Sequence, residues 1–185
     1  MPDPRPPTPV FFRLRGAHWS DLCFYAFTAL LAVGLKLAWR GCPPTEPRVF
    51  LAPLVAVLSF LSGASFTFRP DGYWSPSLGV LITKDCGGMN YFLIALGLLV
   101  LSHIRSCRGR AKVAACGGFL IGAYLLTLLA NVSRVICVLA LGRTAFGGEF
   151  LAGRPHLALG ALVYFFFLAA GNLLAGALIR KGAAV

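Results

Sequence analysis

From residue 113 to residue 141 the chain carries one formal charge, Arg134, in an otherwise apolar run. As a helix, the stretch 112–141 reaches roughly 45 Å, against a hydrocarbon thickness of ~30 Å. Such a run either projects from a bilayer at one end or bends. Four more apolar runs, at about 20–39, 49–68, 89–104 and 157–179, accompany it. The hydrophobic fraction of the whole chain is 58% and the charged fraction 12%, about half the charge usual in soluble domains. A soluble core of 185 residues has no use for that much apolar surface. Where lipid is the solvent, backbone groups must be paired within each segment, which selects helices. The expectation is an all-α, polytopic membrane helical bundle of about five transmembrane helices, or six. A polar tail covers 1–19, and a single membrane-embedded domain covers 20–181.

The net charge is +11, but the basic residues are scattered between apolar runs. That pattern fits contact with a lipid bilayer and excludes a nucleic-acid stripe. Arg105, Arg108, Arg110 and Lys112 form an acid-free linker that the positive-inside rule assigns to the cytoplasm, together with Arg180 and Lys181. The linkers 69–88 and 142–156 then fall outside, and Tyr73 and Trp74 suit an interfacial anchor. Five crossings would also put the N-terminus outside. Arg5, Arg13 and Arg15 would then break the rule, unless the count near the N-terminus is off by one. The tail is Pro- and Arg-rich with no apolar centre, so no cleavable signal peptide is expected.

The cysteines are Cys23, Cys42, Cys86, Cys107, Cys116 and Cys137. They form no C-x-x-C and no paired Cys/His set, so neither a metal nor a cofactor is expected. Cys86 stands apart. It follows Lys84 and Asp85, precedes two glycines, and lies immediately before an apolar run. Three polar groups converge on one depth. Cys86 opens the third run and His156 opens the fifth, both at the outer face. Arg134 lies roughly 33 Å along the fourth helix from Lys112, which brings it to the same boundary. An arginine in an apolar helix costs ~2.5–3.5 kcal/mol on insertion scales unless it snorkels or pairs. Asn131 sits one turn before it on the same face, which makes N-x-x-R a polar patch.

The trio has a chemistry. A thiolate attacks a carbonyl and forms a thioester that passes to an amine or to water. A neighbouring cation favours the attacking form of a thiol. A histidine relays the proton, and an arginine stabilises the oxyanion. Gly87 and Gly88 would leave room beside the sulfur for a substrate backbone.

The segments "CGGMN" (86–90), "NVSR" (131–134) and "PHLALG" (155–160) resemble, in order and placement, the exosortase/archaeosortase family, and most of all its short exosortase K branch. The resemblance covers about residues 80–175. It implies a multi-pass transpeptidase of a bacterial inner membrane with its active site facing outward. Its partners would be exported proteins with a C-terminal motif, membrane helix and basic tail, and an amine acceptor. It implies Cys86 as nucleophile, Arg134 as oxyanion stabiliser and His156 as general acid/base, with Asn131, Gly87, Gly88 and Asn90 in support. Gly87 departs from the serine commoner in that family. Two other readings stay open: a protease that only hydrolyses, and a non-enzymatic transporter or assembly subunit with Asn131 and Arg134 along a polar path.

Overall fold

The computed structural model describes residues 19–42, 48–107, 109, 111–142 and 155–182. Among these lie five α-helices: α1 (Trp19–Gly41), α2 (Arg48–Ser62), α3 (Met89–His103), α4 (Ala111–Gly142) and α5 (Pro155–Gly182). A short antiparallel sheet separates α2 from α3: β1 (Thr67–Arg69), β2 (Gly72–Ser75) and β3 (Val80–Ile82), in that spatial order. The chain is an all-α polytopic membrane bundle with this small sheet at one end.

Four helical segments are long and apolar enough to cross a membrane: Trp19–Gly41, Lys84–Ser106, Ala111–Gly142 and Leu157–Lys181. Lys84–Ser106 gains its length from a 3-10 turn at Lys84–Gly87, which leads into α3. The remaining apolar run, the second in the sequence, forms α2, but its 15 residues rise only roughly 22 Å. Expected over 49–68, this helix stops at Ser62 because Gly63 takes a left-handed φ of 65°, a conformation that ends helices. The chain then turns into strand.

Four polar contacts fix how the helices run. Lys112 at the start of α4 pairs with Asp21 at the start of α1, and both are buried. At the other end of α1, Lys36 donates to the Asn90 side chain at the start of α3, and Lys84 Nζ donates to the Cys42 carbonyl at 2.5 Å. So α1 and α4 run the same way and α3 runs opposite. His103, at the end of α3, bonds Asn172 Oδ1 at 3.0 Å, which sets α5 beside α3 with its C-terminal half at the α1-start end. Helix α2 continues in the direction of α1. Near its start Phe50 meets Tyr124 edge to face, while Leu58 lines a cleft with Val135 and Leu139. Helix α2 therefore climbs along the upper half of α4 and does not return across the bundle.

Helix α3 is the centre. Half of its apolar span is buried inside the bundle, against 6% for α1 and for α5. Ala95, Ala123 and Ala130 are fully buried, and such small residues let α3 and α4 approach closely. The outward faces of α1 and α5 present Phe27, Leu30, Leu37, Leu162 and Phe165, as a lipid-facing surface should. A second apolar cluster joins Leu51, Leu54 and Leu58 of α2 to Ile82 of β3 and Val132 of α4, with Cys86 packed on its edge. The sheet is held tightly: a Cβ at Gly72, whose φ is 143°, would lie 2.2 Å from the Ile82 carbonyl oxygen. Only glycine fits there. The sheet therefore ends at a fixed place and delivers Thr83 and the Lys84–Gly87 turn onto the α2–α4 groove.

Candidate functional site

Cys86 sits in the 3-10 turn between β3 and α3. Its backbone N–H donates to the Thr83 carbonyl at 2.9 Å, and its Sγ lies 4.0 Å from Thr83 Oγ1. The side chain is partly buried. It lines a cleft of about 160 Å³ together with Asn131 and Arg134. Val80, Leu81, Val135 and Leu139 make the other walls, so the three polar residues meet in an otherwise apolar crevice. Of the residues expected from sequence, these three are brought together.

Asn131 and Arg134 are held by a residue that the sequence reading missed. Tyr164 of α5 donates its hydroxyl to Asn131 Oδ1 at 2.5 Å and accepts from Arg134 Nη1 at 3.2 Å. The guanidinium also lies over the Tyr164 ring, 5.7 Å from its centroid, within the range of a cation–π contact. A buried asparagine, 3% exposed, and a half-buried arginine thus share one phenol. Gly160, a turn before Tyr164, makes room for this: a Cβ there would stand 3.1 Å from Arg134 Nε. The signal for Tyr164 was weak but present. It is the one hydroxyl in the "YFFF" run at 164–167, and it follows His156 and Gly160 at steps of four.

The two glycines after Cys86 do not leave space for a substrate backbone, contrary to the expectation. A Cβ at Gly87 would meet Trp39 Cη2 at 3.0 Å, and one at Gly88 would meet Asn131 Nδ2 at 2.1 Å. Both directions are already filled by protein. Gly88 also adopts φ 69° at the N-cap of α3, so it is needed twice over, for its backbone and for the close approach of α4.

Asn90 faces away from the sulfur cleft and takes the Lys36 hydrogen bond described above. His156 is the second residue of α5 by backbone; its side chain lies outside the described residues. Lys84 and Asp85 line a separate, larger pocket of about 500 Å³. Arg134 and Tyr164 border that pocket as well, which leaves Arg134 as the wall between the two spaces.

Comparison of the chain with protein-family models, with curated proteins and with solved structures finds no match.

Proposed function

We propose that the chain is a membrane cysteine transpeptidase of the exosortase/archaeosortase kind, acting on exported proteins that end in a sorting motif, a membrane helix and a basic tail. The observation that carries this reading is the shared cleft of Cys86, Asn131 and Arg134. A lone thiol on an apolar face would have no cation beside its crevice. Here the crevice has one, and the cation is oriented by Tyr164 and Asn131 rather than released to solvent.

In this reading Cys86 Sγ attacks the scissile carbonyl, and its proton passes to His156. Arg134 stabilises the oxyanion of the tetrahedral intermediate. The C–N bond then breaks, and His156 returns the proton to the departing amine. The thioester on Cys86 is next attacked by an amine acceptor, whose proton leaves through His156 while the sulfur departs as thiolate. Asn131 and Tyr164 are positioning residues for Arg134.

The orientation that suits this chemistry is cytoplasmic for the linker near Arg105 and Lys112, and external for the sheet and the Cys86 cleft. With α2 not crossing, the start of α1 falls on the cytoplasmic side. On that orientation an N-terminal segment carrying Arg5, Arg13 and Arg15 would accord with the positive-inside rule. The membrane would be a bacterial inner membrane.

The test is co-expression with a protein carrying such a tail. Cys86→Ala is expected to abolish its processing at an unchanged membrane level of the enzyme. Transfer is separated from hydrolysis by an added amine: a product heavier by that amine supports transfer, and a product unchanged in mass supports hydrolysis alone.

A further inference from the structure

The larger pocket, of about 500 Å³, lies between the outer half of α1, the start of α3, Arg134 of α4 and Tyr164 of α5. Its lining contains Lys36, Arg40, Lys84 and Arg134 against one carboxylate, Asp85, a formal surplus of three positive charges. Among the described residues none of these four cations forms an ion pair. Three of them are held by neutral groups: Lys36 by Asn90, Lys84 by the Cys42 carbonyl and the Trp39 ring, and Arg134 by Tyr164. With one carboxylate among four cations, the like charges repel one another, so the arrangement favours an anion.

Two independent features point the same way. Gly88, Met89, Asn90 and Tyr91 of the lining are the N-terminal turn of α3, and no side chain caps it. A helix start of this kind offers free N–H donors and a positive dipole end to an anion. Tyr91 is 5% exposed, and its hydroxyl is buried without a hydrogen-bond partner. An unpaired buried hydroxyl is costly, and here it belongs to a residue of the pocket wall.

We infer that this pocket binds a phosphate group. A phosphate offers several acceptor oxygens to separate donors at once, which suits cations on α1, α4 and the 3-10 turn better than a single carboxylate does. The pocket also carries apolar wall from Trp39, Met89 and Tyr91 and adjoins the lipid-facing side of α1 at Leu37, which is 61% exposed. The phosphate can therefore arrive on a phospholipid headgroup or free in solution. The inference does not depend on the function of Cys86, because binding is read without any turnover.

The experiment uses the full chain purified in neutral detergent. Binding of a short-chain phosphatidylglycerol, of inorganic phosphate and of the matching diacylglycerol is followed by thermal shift and titration. Saturable binding of phosphatidylglycerol but not of the diacylglycerol is expected, and Lys36→Gln or Lys84→Gln should each weaken it by about fivefold, the equivalent of ~1 kcal/mol. Lys36→Arg should retain it. Saturable inorganic phosphate binding with the same sensitivity would assign the free ion as the source and equally support the site. No saturable binding of either phosphate probe, or binding unchanged in both lysine variants, overturns the inference, as does equal binding of the diacylglycerol.

Discussion

Gly88 lies so close to Asn131 that a Cβ on it would stand 2.1 Å from the asparagine Nδ2. This contact locks the start of α3 against α4, and with it the position of Cys86 relative to Arg134. The glycine is also left-handed, at φ 69°, a conformation that costs other residues ~1–2 kcal/mol. Gly88→Ala is expected to lower the unfolding temperature in detergent and to displace Asn131. Gly87→Ala meets the outer edge of the Trp39 ring, with its backbone at an ordinary φ, and should cost less. A larger loss at position 87 than at position 88 would contradict the packing described.

Tyr164 bridges Asn131 and Arg134 with a single hydroxyl. Tyr164→Phe keeps the ring that stacks on Tyr91 at 4.7 Å but leaves the buried Asn131 oxygen and one Arg134 N–H unpaired. A loss of about 1–3 kcal/mol in stability is expected. In the proposed reaction, kcat should fall while KM changes little, because the arginine acts on the transition state. A variant unaltered in both stability and rate would remove Tyr164 from the account.

The buried Lys112–Asp21 pair ties the starts of α1 and α4. Removing the Asp21 carboxylate leaves the buried Lys112 ammonium with the Ser20 hydroxyl at 3.0 Å but without this ion-pair partner, at about 3–5 kcal/mol. Asp21→Leu alone should therefore destabilise more than the double change with Lys112→Leu, and a thermal-melt cycle measures the difference. A double variant worse than the single one would count against the pair as the link between these helix ends.

Burial pushes the Cys107 thiol up from its ordinary range, with Lys112 only partly opposing. A raised thiol pKa means less thiolate at neutral pH. In a variant that keeps only this cysteine, maleimide labelling should be slower than for a free thiol at pH 7, and should keep rising with pH beyond the range where a free thiol levels off. A labelling curve that coincides with that of a free thiol would contradict this.

The long helices were legible because each is an apolar run of membrane length. The runs at 20–39, 89–104, 112–141 and 157–179 sit within a few residues of α1, α3, α4 and α5. The sheet was not read, though its signal was there. In "TFRPDGYWS" a Pro-Asp-Gly turn joins two short aromatic segments, and Thr67 pairs with Trp74 across it. As part of the 69–88 linker it carries no strand in the sequence expectation, and α2 is extended to residue 68 instead of ending at Ser62. At the site, N-x-x-R stood out because polar residues in an apolar helix need a reason. Tyr164 did not, since a tyrosine among phenylalanines reads as membrane aromatic. Lys36 and Arg40 carry no signal of a site in the sequence, and only the packing of α1 beside the start of α3 turns them toward a shared pocket. The glycines were read as space for substrate, whereas side chains of Trp39 and Asn131 fill that space. Sequence spacing names small residues without saying what lies against them.

The central claim is that Cys86 forms a thioester with the substrate. The direct measurement is processing of a co-expressed protein bearing a C-terminal motif, membrane helix and basic tail, followed by mass spectrometry of the product. The account predicts cleavage by the unaltered chain, none by Cys86→Ala, and recovery from the unaltered enzyme of a hydroxylamine-sensitive adduct on Cys86. Cleavage by Cys86→Ala at the normal rate would contradict it.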